Sequence, residues 1–133
     1  MVKAGKALSL MLIDNDRHVR ESLKVFFGNS PVDILIFKTA AEGLNALKFQ
    51  QVDVVISDYF LPDLDGVAFL RKVNEMAPSA VRILMATIVS EDLEQDIQEA
   101  GINRFIEKPL TVASLDTVIN ELVTTNLSNQ GRR

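Results

Sequence analysis

Short apolar runs alternate along the chain with longer stretches of helical period. Leu8–Ile13 is the first run, and Val19, Leu23, Phe26 and Phe27 then recur at helical spacing. Val32–Phe37 is the second run. Thr39 and Glu42 stand three apart before Leu44 and Leu47, which predicts a capping box opening a helix. Val52–Ser57 is the third run, followed by Phe69, Leu70, Val73 and Met76 on one helical face, with Pro78 and Ser79 closing that helix. Val81–Ala86 is the fourth run. Ser90 is placed to cap a helix carrying Leu93, Ile97 and Ala100, and Gly101 suits its C-terminal end. Ile102–Ile106 is a short fifth run. Leu115, Val118, Ile119, Leu122 and Val123 form the stripe of a last helix.

Five strand–helix units in strict alternation, with strands apolar almost throughout, predict a parallel sheet buried on both faces under helices. Its crossovers are expected to be right-handed. The length of 133 residues suits one domain, expected over 8–125 with an extension at 1–7 and a tail or linker stub at 126–133. With 47% hydrophobic and 24% charged residues, the composition is that of a folded domain. There are 14 Lys+Arg against 18 Asp+Glu, so no basic surplus exists for nucleic acid. Cysteine is absent, which excludes disulfides, thiolate metal sites and thiol catalysis, and suits a cytoplasmic chain. No apolar stretch approaches the ~18 residues of a membrane span. Lys3 and Lys6 precede an apolar run as in a signal peptide, but Asp14 stops the run and no small-residue cleavage site follows.

The chemistry lies where the apolar runs end. The first ends in Asp14, Asn15 and Asp16, the third in Asp58, the fourth in Thr87, and the fifth in Lys108 before Pro109. In open parallel sheets, ligands sit beyond the carboxyl ends of the strands. Strands one, three, four and five therefore deliver polar groups to one rim. Lys38 and Thr39, after the second run, fall outside this set if that strand is an edge. Asp14 and Asp58 would place two carboxylates together, an arrangement that a cation or a proton must relieve. Oxygen ligands without His or Cys favour a hard cation such as Mg2+. A carboxylate nucleophile beside a cation site, a lysine and a hydroxyl suits acceptance of a phosphoryl group.

Ile13-Asp14-Asn15-Asp16, the segment Val55 to Gly66 with Asp58, Pro62 and Asp65, then Met85-Ala86-Thr87 and Phe105-Ile106-Glu107-Lys108-Pro109, resemble in order and spacing the receiver domain of two-component response regulators. The resemblance covers about residues 8 to 125. It implies a doubly wound, flavodoxin-like fold with strand order 2-1-3-4-5. It makes Asp58 the phosphoacceptor, and Asp14, Asn15, Asp58 and the backbone carbonyl of Phe60 the Mg2+ site. Thr87 becomes the hydroxyl that bonds the phosphoryl group, Lys108 its cationic contact, and Phe105 the aromatic that swings inward with Thr87. A cis Lys108–Pro109 peptide is implied as well, and Gly66 closes the motif after the acceptor. The implied donor is a histidine kinase or phosphotransfer protein. The implied reader is an output domain or protein, or a second copy, at the surface of the fourth helix, fifth strand and fifth helix. The chain itself is read as a switch that catalyses its own phosphorylation in part, not as a metabolic enzyme. Its end shortly after the last helix fits a stand-alone receiver or a piece of a longer protein.

Two departures stand out. Asn15 occupies the place of a second Asp, which predicts weaker Mg2+ binding unless Asp16 compensates. Ile88, where Ala or Gly is usual, joins Phe60 and Val89 in flanking the acceptor, which predicts hindered hydrolysis of the phosphoryl group.

Each residue taken alone has a plainer reading. Asp14 and Asp58 are turn or cap residues, Lys108 a solvated charge, Phe105 core packing, and Asp16, Ser90 and Thr111 helix caps. The acidic positions Glu91, Asp92, Glu94, Asp96 and Glu99 read as a solvated helix face, with a partner surface as the rival, and His18 as an exposed residue of the first helix. The ordered set carries the functional reading. A haloacid-dehalogenase phosphatase would need Thr or Val where His18 stands, and a late acidic motif. A flavodoxin would need a Ser/Thr-rich phosphate loop where Asp14 to Asp16 would repel phosphate. The remaining alternative is a degenerate receiver acting as a phosphorylation-independent interaction module.

Overall fold

A computed structural model describes residues 8–28, 32–87, 90–111, 113–118 and 120–121. The elements are β1 (Ser9–Ile13), α1 (Arg17–Phe27), β2 (Asp33–Phe37), α2 (Ala40–Leu47), β3 (Val54–Asp58), α3 (Gly66–Met76), β4 (Val81–Ala86), α4 (Glu91–Glu99) and β5 (Arg104–Glu107). Residues 113–118 and 120–121 are helical after β5. All strand pairs are parallel, in the order β2-β1-β3-β4-β5. Ile88, Val89, Ile119, Leu122, Val123, the extension at 1–7 and the tail at 126–133 lie outside the described residues.

Alternation along each strand divides the core in two. Leu10, Leu12, Val54, Ile56, Ile83 and Met85 face α1 and the last helical segment, where they pack with Leu23, Phe27 and Leu115. Met11, Ile13, Val55 and Leu84 face the other way, onto Phe69, Leu70, Val73 and Leu93 of α3 and α4. The central strands β1, β3 and β4 are buried almost throughout, as their apolar runs predict. The edge strands are not: β2 is half-buried and β5 is mixed, because each has a neighbour on one side only.

The helix starts follow the sequence closely. Thr39 and Glu42 form the reciprocal capping box at α2. Asp16 caps α1, Ser90 caps α4, and the Thr111 hydroxyl accepts from the Ser114 N–H. At the end of α4, Gly101 takes φ 70°. The Ile102 N–H then reaches the Ile97 carbonyl and the Gly101 N–H the Gln98 carbonyl, a Schellman closure.

β1 and β2 each begin one residue after the start of their apolar runs, and β3 and β5 differ more. β3 begins at Val54 and includes Asp58, whereas Val52 is a buried loop residue before it. β5 begins at Arg104, because the Asn103 side-chain oxygen takes the Arg82 N–H at 2.7 Å in place of a ladder bond. Arg82 is also a charge buried inside the fourth run, at 7% exposure. Among the described residues its guanidinium donates to carbonyls alone, those of Pro78, Ala80 and Gly101 at 2.7–3.3 Å. It thereby ties the α3–β4 turn to the end of α4.

Candidate phosphorylation site

The carboxyl ends of β1, β3 and β5 bring three charges together. Asp14 follows β1 and is fully buried; Asp58 ends β3 at 8% exposure. Lys108 follows β5 and is pinned by its own N–H to the Ala86 carbonyl at 2.9 Å. Its Nζ lies 3.1 Å from Asp14 Oδ2 and 3.4 Å from Asp58 Oδ2. The peptide from Lys108 to Pro109 is cis.

Burial raises the Asp58 pKa above the usual carboxylate value, and the neighbouring charge of Asp14 raises it further, against the opposing pull of Lys108. Burial alone would lower the Lys108 pKa, but Asp14 and Asp58 outweigh it and raise it, so the ammonium is held charged. One lysine between two buried carboxylates leaves the site with a surplus of negative charge.

The β1–α1 turn is fixed from both sides. The Asp16 N–H donates to Asp14 Oδ1 at 2.8 Å. Arg20 Nη1 donates to the carbonyls of Asp14 and Asn15, each at 2.9 Å. Asn15 is exposed at this rim. The Asp16 carboxylate caps α1, where its Oδ1 accepts from the His18 N–H, and Asp16 lines the hollow that also reaches Lys108 and Thr87.

Thr87 follows β4, is exposed, and lines two hollows that meet at the rim. One, of about 540 Å³, runs past Lys108, Pro109, His18 and Phe26. The other, of about 230 Å³, lies against Tyr59, Phe60 and Leu93. Phe60 is 73% exposed, with its ring edge-on to Tyr59 at 4.9 Å. Phe105 is half-buried and packs on the α3–α4 side of the sheet. Gly66 brings the start of α3 against the end of β3: its N–H donates to the Tyr59 carbonyl at 2.7 Å. A Cβ at Gly66 would lie 2.3 Å from the Asp58 carbonyl oxygen, so only glycine fits.

The oxygen groups gathered here are the carboxylates of Asp14 and Asp58, with the exposed Asn15 amide beside them in the chain. Among the described residues no three acidic or imidazole side chains converge on a metal position. The set fits a hard cation nonetheless, because the acid pair carries charge that Lys108 does not fully offset.

The family profile of the response regulator receiver domain matches residues 10–120. This chain belongs to that family. Receiver domains serve two-component signal transduction and generally bind Mg2+ at the phosphorylation site. This receiver domain is 32% identical over 125 residues to response regulator Rre1 of Synechocystis, covering 90% of this chain and 53% of that protein. It is 28% identical over 143 residues to protein-glutamate methylesterase/protein-glutamine glutaminase 2 of Pseudomonas syringae, covering 97% of this chain and 39% of that one. It thus spans about half or less of these two curated relatives. Among solved structures, the signal receiver domain of an HD domain-containing protein from Pseudomonas fluorescens superposes with a TM-score of 0.85 at 25% identity, covering 96% of this chain and 95% of that one. No helix among the described residues is long and apolar enough to cross a membrane.

Three polar residues escape a reading of the run ends alone: Arg20 and Asp63 on the side of the rim, and Arg82 at the opposite end of the sheet. Arg20 offers a signal, since a cation in the first turn of a helix opposes the helix dipole and calls for a local partner. Asp63 accepts from Ala40 N at 3.1 Å and Ala41 N at 2.9 Å, across 23 and 22 residues. Burial opposes the shift of its pKa, and the N–H groups of Ala41, Ala40 and Asp63 itself outweigh it and hold the carboxyl below its usual value.

Proposed function

We propose that this receiver takes a phosphoryl group onto Asp58 from the phosphohistidine of a kinase or phosphotransfer protein. The observation that carries the reading is the buried Asp14–Lys108–Asp58 cluster at the open rim of the sheet. In the transfer an Asp58 carboxylate oxygen forms a bond to phosphorus. The phosphorus–nitrogen bond of the donor breaks, and its electron pair stays on the imidazole. Lys108 stays protonated and neutralises the incoming oxygens, while the Thr87 hydroxyl donates to one of them. Asp14, Asn15, Asp58 and the Phe60 carbonyl would hold Mg2+, which when bound offsets charge on the phosphoryl oxygens.

Drawing Thr87 toward the anion vacates space into which Phe105 turns. That biases the surface of α4, β5 and the helical segment after it, which an output domain, an output protein or a second copy reads. The chain is a switch on this reading and its reaction is its own modification. On this reading the switch works in the cytoplasm, where ATP charges phosphohistidine donors. The receiver core is assigned to 8–125, with 126–133 as tail or linker. The fluorescence of Tyr59, the only tyrosine in a chain without tryptophan, reports the reaction directly. A small phosphodonor with Mg2+ is expected to change that fluorescence, and Asp58→Asn to abolish the change. An equal response in the variant would refute Asp58 as the acceptor.

Asn15→Asp is expected to tighten Mg2+ binding about tenfold. A full charge near a divalent ion contributes on the order of 2 kcal/mol even in water-like surroundings, part of which desolvation removes. Equal affinities in a Tyr59 titration would sink the idea. Bulky Phe60, with Ile88 and Val89, is expected to slow hydrolysis of the phosphoryl group. The triple variant Phe60→Asn, Ile88→Ala, Val89→Glu should then lose its label faster than wild type, and a decay no faster would rule this out.

Asn15 also favours a second reading, in which the domain keeps its fold and binds its partner without phosphorylation. Two carboxylates and an amide hold a cation less firmly than three carboxylates. A beryllofluoride mimic with Mg2+ that leaves Tyr59 silent would favour that module.

A further inference from the structure

We propose that Asp63 is a positioning residue of the phosphorylation site, acting on the loop that carries the Phe60 carbonyl. The proposal rests on the reading of that carbonyl as a metal ligand. The loop from Tyr59 to Asp65 leaves β3 beside the acceptor. Its inner end is closed by the Gly66 N–H on the Tyr59 carbonyl at 2.7 Å. Its outer part is held by Asp63, which crosses to another element: Oδ1 accepts from Ala40 N at 3.1 Å and Oδ2 from Ala41 N at 2.9 Å. Those are the first two N–H groups of α2, which have no partner within their helix. The carboxylate spans both, so the contact fixes direction as well as distance. Phe60 and Leu61 lie between these two ties. The Phe60 side chain is 73% exposed, and among the described residues its ring pairs only with Tyr59, so its own packing does little to fix its carbonyl.

A plainer role, stabilising α2 and nothing else, is separable. Thr39 serves the same helix end: its hydroxyl accepts from Glu42 N at 3.1 Å, and its hydrogen bonds among the described residues go to Glu42 and Gly43 rather than to the loop. Thr39→Ala therefore weakens α2 while leaving the Asp63 tie in place. A residue that merely stabilises the helix would act on melting temperature in the same way as Thr39. A residue that positions the carbonyl acts on metal affinity as well.

The experiment is a Mg2+ titration of the full chain, without phosphodonor, followed by Tyr59 fluorescence and by amide exchange at Ala40 and Ala41. Wild type, Asp63→Ala, Asp63→Asn and Thr39→Ala are compared well below their melting temperatures. Asp63→Ala is expected to weaken Mg2+ binding about tenfold, the loss typical of an outer-shell contact. Asp63→Asn keeps one acceptor oxygen and should fall between. Thr39→Ala should bind as wild type despite a lower melting temperature. Equal affinity for Asp63→Ala and wild type would overturn the role of Asp63 alone, as would an equal loss in Thr39→Ala. A wild-type chain that never responds to Mg2+ would overturn the metal reading and this proposal with it.

Discussion

Asp58→Asn is expected to melt above the wild-type chain at neutral pH in Mg2+-free buffer, and to lose that advantage in acid. Asp58 is buried beside Asp14, and its pKa in the folded chain is raised above the unfolded value of 3.8. The folded chain therefore holds the proton more tightly than the unfolded one. Its stability falls as pH rises through the folded pKa, and the handicap is absent below the unfolded value. Asparagine keeps the shape and never ionises. The gain should appear as a higher melting temperature for the variant at pH 7. Melting curves at pH 7 and near pH 3 check the sign. A variant that melts lower than wild type at pH 7 would contradict it. Adding Mg2+ should narrow the gap, since a cation relieves the same repulsion in wild type.

Lys108→Met is expected to show the opposite and larger effect. Methionine keeps most of the side-chain length and removes the one cation among the described residues that pairs with both carboxylates. Asp14 is fully buried, so its charge cannot turn to solvent. Removing one partner from a buried ion cluster typically costs about 3–5 kcal/mol; with Asp58 partly able to take a proton, roughly 2–4 kcal/mol is expected. The double variant Lys108→Met, Asp58→Asn should recover part of the loss, because only one carboxylate then remains. Denaturant unfolding of the four chains closes the cycle. The recovery should exceed the gain that Asp58→Asn gives in the wild-type background; a recovery equal to that gain would show that Lys108 and Asp58 do not interact, against the 3.4 Å contact.

The site was legible in the sequence wherever a residue ends an apolar run. A parallel sheet sends all its strand ends to one rim, so Asp14, Asp58, Thr87 and Lys108 fall together once the alternation is read. Helix starts were legible too, because caps act over two or three residues, as at Asp16, Thr39 and Ser90. Contacts across many residues were not. Asp63 meets α2 across 22 and 23 residues, and nothing beside it in the chain points there. Arg82 sits within an apolar run and is satisfied by backbone carbonyls, which every sequence offers alike. The start of β5 shifted for a similar reason: Asn103 replaces a ladder bond by a side-chain bond that hydrophobic patterning cannot express. The cap reading of Asp16 is visible in its bond from the His18 N–H.

The most direct test of Asp58 as phosphoacceptor is intact mass after treatment with a small phosphodonor and Mg2+, with Asp58→Asn alongside. The account predicts the gain of one phosphoryl group in wild type and none in the variant. No gain in wild type at high Mg2+, or an equal gain in both chains, would contradict it.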